Sequence, residues 1–494
     1  MGVIAKQSIR GTIVTYLGIG VGIITTFYVL TRFLTTEEIG LARVLIDAAV
    51  LFVGLAQLGT NASIIRFYPY FREKDSDQDH GFFFWALVVP FVGFLLFALI
   101  YWACRVPLGA WFGDKSPLFV EYYYFVLPLA FFMLYQSIYE TTCNVLMHIV
   151  LPRAVRELIV RIGLLVLYLL YAFRVLSLDG LVIGLCVNYA IAAIINLAYF
   201  FSLKRISMRP DWAFLRANLP LVRRYLTYSA FLIVSAVTTT LAPVLSSFFV
   251  TAKIGLDSTG IFAIATYMAV MVSVPFRSVT AIASPQLAKA IKEQNGDECS
   301  VLIQQVTRNL LLVGGFILLA IWLNIDLIFH IMPNGATYSV AKDAVLILGL
   351  SQLIMATFSI CLIALNYSRY YALSLVLSLI LTVSAILLNN YLVPLYGMNG
   401  AAMSNLLSYG LYFLLIILTV IPTCRWRIVN RQWFYILLLL AAIFGLNFLW
   451  QNYLPIHNIW LDSIVRSVVL LGGGAWIAYR AKLSPEINQQ IAKH

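Results

Sequence analysis

The stretch LTRFLTTEEIGLA (residues 30–42) returns 220 residues later as VTAKIGLDSTGIF (residues 250–262). In that overlay Thr31 meets Thr251, Leu34 meets Ile254, Glu37 meets Asp257 and Gly40 meets Gly260. The register continues through Ala49/Ala269, Val50/Val270 and Thr60/Thr280. It still holds at the far end of each copy, at Tyr171/Tyr391, Gly180/Gly400, Tyr189/Tyr409 and Arg205/Arg425. Chance supplies single matches, not one offset kept at both ends. The chain therefore reads as a duplicated body.

What is duplicated follows from composition. Of 494 residues, 62% are hydrophobic and 11% charged, where a soluble protein carries about 25% charge. Fourteen apolar runs can be read along the chain, each near the roughly 20 residues that a helix needs to cross a bilayer. They do not alternate as outer-membrane strands do, so the expected fold is an all-α polytopic membrane protein with about fourteen transmembrane helices. Six runs fall in each copy, and an even number gives both copies the same orientation. Parallel repeats of this kind are related by an axis along the membrane normal, with substrate between them. Residues 1–210 are expected to form a first lobe, 211–430 a second, and 431–494 two extra helices and a tail, the lobes flanking a central cavity.

The net charge of +12 raises nucleic acid as a partner, and the distribution of cations removes it. Of the 33 lysines and arginines, 24 lie on one set of alternate loops and 7 on the other. By the positive-inside rule both termini are expected on the cytoplasmic side, with the excess charge facing anionic lipid. The six cysteines form no C-x-x-C pair and the five histidines are scattered, so no metal, redox or disulfide framework is expected. No phosphate-binding loop of the G-x-x-x-x-G-K-[ST] type occurs. Neither catalytic residues nor a cofactor are expected.

Three segments carry a family resemblance. LTRFLTTEEIGLARVLIDAAVLFVGLAQLG (residues 30–59) resembles the first-to-second helix hairpin of the polysaccharide flippases, a branch of the multidrug/oligosaccharidyl-lipid/polysaccharide exporter superfamily. The residues that carry the likeness are Arg32, Leu34, Glu37, Glu38 and Gly40. Residues 254–290, with Pro285 at the inner end, are similar to the family's seventh-to-eighth helix region, and LYGMNGAAMSNLLSYG (residues 395–410) to the start of its twelfth helix. The resemblance implies transport of an oligosaccharide linked to undecaprenyl pyrophosphate from the inner to the outer leaflet of a bacterial inner membrane. The product would be O-antigen, lipopolysaccharide, capsule or a related polymer, and polymerase or glycosyltransferase partners would act beside the transporter. A multidrug exporter of the same superfamily is the alternative. A membrane-embedded glycosyltransferase or polymerase stands further off, because the outer loops near 104–121 and 329–342 are short and sparsely charged.

Charge inside the bilayer is costly and marks candidate function. Arg277 lies within the eighth run, and its repeat mate is Gln57. Arg277 reads either as a lumenal cation for the carrier's pyrophosphate, whose oxygens guanidinium matches well, or as a side chain that snorkels or meets one buried acid. Arg32 and Arg43 bracket the first outer loop, as a phosphate funnel or as interfacial anchors. Asp47, four residues after Arg43, and Glu140, within reach of Arg153 or Arg156, read as ion pairs or as sites that take up H⁺ or Na⁺. Thr35 and Thr36 before Glu37 and Glu38 read as a helix start. Gly18 and Gly22 with Pro243 in the mate helix, and Pro275 beside Arg277, read as close packing or as points where helices bend.

Overall fold

The structure, a computed structural model, describes residues 3–71, 80–146, 148–203, 209–424, 426–453, 456–486 and 488. Arg205 and Arg425, the last repeat pair, lie outside them. Among the described residues every regular element is helical. Among the described residues ten helical segments are long and apolar enough to cross a membrane, and the protein is a multi-pass membrane protein. The chain forms two compact units, Met1–Gly260 and Ile261–His494.

In the first unit, α1 (Val3–Ile24) runs on through a π-helical stretch, Thr25–Leu30. Next comes α2 (Thr36–Ala56), whose start is a capping box: the Glu38 backbone N–H donates to Thr35 Oγ1 and the Thr35 N–H to the Glu38 carboxylate. Two of the four orphan donors of the first turn are thus satisfied by the threonine and glutamate read as a helix start. Then follow α3 (Thr60–Phe71), α4 (Phe82–Ala103), the short α5 (Arg105–Gly113) and α6 (Val126–Val145). Helix α7 is continuous from Val150 to Ala172, with a π-helical turn at Val155–Ile159. The unit closes with α8 (Leu178–Ser202) and α9 (Leu219–Lys253). Aromatic and aliphatic side chains of α2, α4 and α6, including Phe52, Phe83, Leu129 and Ile138, build its core.

Helix α10 (Leu256–Val270) begins in the first unit; a 3₁₀ turn, Met271–Ser273, joins it to α11 (Val274–Lys292). Proline at position 275 lacks the N–H that would bond back to this turn. The second unit continues with α12 (Gly296–Leu323), α13 (Lys342–Tyr367), α14 (Tyr371–Cys424), α15 (Arg431–Tyr453) and α16 (Ile459–Ser467, extended through a π turn to Arg480). Inside α14 the helix breaks at Gly397, with φ 59° and ψ −133°, a conformation open to glycine and closed to other residues. Gly397 is the repeat mate of Ser177, the N-cap of α8. The two copies therefore restart a helix at the same place, one by a polar cap and the other by a glycine kink.

One sequence boundary needs correction. By hydropathy alone the fifth apolar run starts near residue 157, and the arginines Arg153, Arg156 and Arg161 at its start read as a polar loop. Instead α7 begins at Val150 and carries all three. Opposite charges neutralise one another along the helix, so a stretch that reads as a polar loop is ordered helix.

Candidate functional site

Four charged groups of the first unit, Glu140, Arg156, Glu157 and Arg161, converge where α1, α6 and α7 meet. Glu140, on the last turns of α6, is 8% exposed, and its Oε1 lies 2.8 Å from Arg156 Nη1. Arg156 also reaches Glu157 Oε1 at 3.1 Å, and Glu157 Oε2 accepts from Arg161 Nη2 at 3.0 Å. Arg161 Nη1 then donates to the Gly18 carbonyl oxygen on α1, also at 3.0 Å. Two acids and two arginines make a neutral chain. Buried carboxylates persist only when paired and hydrogen-bonded in this way. Arg156 differs from the rest, with half its side chain still exposed.

Glycine on α1 makes this contact possible. A Cβ on Gly18 would lie 2.0 Å from the Glu157 carbonyl oxygen, and one on Gly22 2.8 Å from Arg161 Nη1. Both α1 and α7 carry a π-helical turn just past this contact or through it. Such turns are rare and recur at functional sites. Close packing and local deformation, the two readings of these glycines, therefore meet in one place. Pro243 is exposed and sits within α9 without interrupting it.

On α2, Arg43 Nε donates to Asp47 Oδ2 at 2.8 Å, and Asp47 is buried. The pair spans one helical turn, the spacing at which side chains on a helix meet. Arg32 is exposed, donates to the Tyr28 hydroxyl at 2.7 Å and lies over the rings of Tyr28 and Phe33. Gln57 caps the C-terminus of α2, and its Nε2 donates to the Gly54 carbonyl oxygen. In the second unit Arg277 is exposed on α11, in the last turn of the apolar segment Leu256–Thr280. Among the described residues no acid lies within ion-pair distance of it. Arg43 with Asp47 and Glu140 with Arg156 are thus brought together, while Gln57 and Arg277 belong to different units.

The polysaccharide biosynthesis protein family matches residues 4–290, more than half of the sequence. The chain belongs to that family. No match to a curated protein sequence is found. Among solved structures, the lipid II flippase MurJ in an inward closed conformation superposes with a TM-score of 0.74 over 96% of this chain and 99% of that one, at 14% identity. An inward-facing multidrug resistance MATE family transporter of the MOP superfamily gives 0.60 over 86% and 96%, at 13% identity. The Vibrio cholerae MATE transporter VcmN gives 0.58 over 84% and 98%, at 16% identity. Identities this low establish the shared fold and nothing finer.

In this polysaccharide biosynthesis protein, sequence reading overlooked Glu157 and Arg161, although their i, i+4 spacing was a usable signal once both lay on a helix. It also left Arg308 and Glu486 unremarked. Arg308 on α12 is buried and is held by the Glu486 carboxylate and by Gln432 Oε1. Arg466 in the last span, which reads as structural or as a lipid contact, is 3% exposed. It pairs with Asp462 at 3.3 Å and donates to the Leu323 carbonyl oxygen, so it acts as a structural tie between α16 and α12.

Proposed function

We propose that this protein is a flippase that moves an oligosaccharide on undecaprenyl pyrophosphate from the inner to the outer leaflet of a bacterial inner membrane by alternating access. The observation that carries the reading is the sign of the charge left over. Among the described residues the buried acids are Asp47, Glu140 and Glu157, and each is held by arginine. Among the described residues Arg277 and Arg32 have no acid within ion-pair distance, and Arg156 keeps half of its side chain exposed. Surplus cation within apolar helices suits an anionic cargo, and guanidinium matches phosphate oxygens in geometry. A multidrug exporter of the same fold requires the opposite, an acid free to meet an organic cation.

The reading extends to the lobe division at residues 210 and 430, to cytoplasmic termini, and to polymerase or glycosyltransferase partners beside the transporter. No cofactor or covalent step enters. Coupling to H⁺ or Na⁺ belongs to Glu140 or Asp47, the acids whose partner would have to release them. The test is Arg277→Ala in the native host, with surface polymer measured at matched protein level. Loss of polymer, with rescue by Arg277→Lys above the alanine level, supports the reading. Unchanged polymer in Arg277→Ala removes Arg277 from the transport path.

A further inference from the structure

A cavity of about 330 Å³ opens within the first unit between α2, α4, α5 and α9, away from the charged chain of α1, α6 and α7. Ala48, Phe52, Tyr101, Leu108, Trp111 and Phe248 line it, and no residue of its wall carries a charge. The two tyrosines of the wall have used their hydroxyls. Tyr101 Oη donates to the Tyr123 carbonyl oxygen at 3.2 Å, Tyr123 Oη donates to the Tyr101 carbonyl oxygen at 2.7 Å, and the rings stack at 4.1 Å. Apart from the Cys104 thiol and the Trp111 indole, what remains is ring face and aliphatic carbon. Protein interiors do not leave a space this large unfilled without loss of stability, and water in it would find too few polar partners.

The position of the mouth indicates what enters. Ile100, on the wall, is 46% exposed, and it continues an outward apolar face of α4 that includes Leu95, Leu96, Leu99 and Trp102. That face meets lipid, so hydrocarbon chains of the bilayer lie at the entrance. Arg105 follows the lining residue Cys104 directly. It is exposed, and its guanidinium sits 5.0 Å from the ring of Tyr124, which follows the lining residue Tyr123. Asp114 and Glu121, the acids of the same connection, are exposed and not paired with it. A cation at the rim favours a phosphate and opposes an amphiphilic organic cation.

We propose that this cavity holds one acyl chain of a bilayer phospholipid whose phosphate rests on Arg105. The bound lipid fills a wall of the first unit and ties α4 and α5 to α2 and α9. It is a site for a membrane lipid, separate from the transported cargo, and it stands whether or not the flippase reading holds.

The test uses the full-length protein in nanodiscs of phosphatidylglycerol and phosphatidylcholine. Each phospholipid is supplied in turn as a trace probe with a diazirine on its acyl chain, and adducts are mapped by peptide mass spectrometry. The expected result is adducts concentrated on Tyr101–Trp111 and around Phe248, above the level on the lipid-facing Phe91, Val92 and Leu95. Ala48→Phe, which fills the space, should abolish the cavity adducts and leave those at Leu95. Leu108→Trp, on a different wall, gives the same reading should Ala48→Phe fail to yield a monodisperse protein. Arg105→Gln should lower the preference for the phosphatidylglycerol probe severalfold. Even labelling of α4 that neither filling substitution changes overturns the proposal. Labelling of the cavity by a prenyl phosphate probe in place of the acyl probe overturns it as well.

Discussion

Gly40 and Gly260, repeat mates 220 residues apart, lie against each other's helices through a reciprocal backbone contact. A Cβ on Gly40 would sit 2.0 Å from the Leu256 carbonyl oxygen, and one on Gly260 would sit 1.9 Å from the Thr36 carbonyl oxygen. Thr36 and Leu256 are themselves repeat mates, so the contact maps onto itself when the two copies are exchanged. Thr36 Oγ1 also donates to Asp257 Oδ1 at 2.5 Å. The starts of α2 and α10 therefore form a self-complementary crossing that admits only glycine.

Alanine at either position should push backbone against backbone, where no rotamer change relieves the clash. We expect Gly40→Ala and Gly260→Ala each to destabilise by about 1–3 kcal/mol, the range for overpacking, read as a lowered Tm in detergent. Because both clashes separate the same two helices, the double variant should lose less than the sum of the singles. Wild-type Tm in both single variants would show that the crossing tolerates a side chain.

The chain Glu140–Arg156–Glu157–Arg161 gives a second prediction. Arg161→Ala leaves Glu157, 5% exposed, with Arg156 as its sole ion-pair partner among the described residues. The cost should be about 2 kcal/mol, below the 3–5 kcal/mol for breaking a fully buried pair, because Arg161 is partly exposed. Adding Glu157→Gln removes the stranded charge and should recover part of the loss. Thermal unfolding of the two variants checks the order, and equal stability of both would dissociate Glu157 from the network.

Much of this was legible in sequence, and the reason differs by residue. The Gly40/Gly260 register could be read because duplication prints the same residue twice, whereas the Gly397 restart could not, since its mate is a serine. The Thr35–Glu38 cap and the Arg43–Asp47 pair could be read because both partners sit within one helical turn. Glu140 was narrowed to two arginines, and the structure places it on Arg156. Arg161 against Gly18 could not be read, since 143 residues separate them and neither type announces the other. Arg308 and Glu486 are farther apart still. The apolar cavity was invisible for another reason: each lining residue, taken alone, looks like any side chain that faces lipid.

Ion coupling at Glu140 is testable against a structural role for the same pair. If the acid takes up H⁺ or Na⁺ as the transporter turns over, Glu140→Gln should abolish the dependence of flux on the ion gradient and leave substrate binding intact. Arg156→Ala should instead lower stability, since it strands the buried Glu140 and leaves Glu157 with Arg161 alone. Flux into proteoliposomes with and without a pH or sodium gradient separates the two. A gradient dependence preserved in Glu140→Gln would move the coupling site elsewhere, with Asp47 next in line.

The tie between Arg308 and Glu486 makes the C-terminal segment sensitive to acid. Burial alone would raise the Glu486 carboxyl, but its bonds to Arg308 outweigh this and hold it below the usual carboxylate range. A carboxyl with a lower pKa folded than unfolded stabilises the fold at pH above the unfolded value of about 4.3. That contribution is lost as pH falls toward and through the folded value. The segment should therefore stay docked near neutrality and loosen only below the ordinary glutamate range, with the contacts at Gln432 and Ser484 failing together. Hydrogen exchange measured from pH 7 downward, with intrinsic rates corrected, should show protection at the start of α15 falling in wild type. In Glu486→Gln protection should be lower at neutral pH and nearly flat with acid. A parallel decline in wild type and Glu486→Gln would assign the acid response to another group.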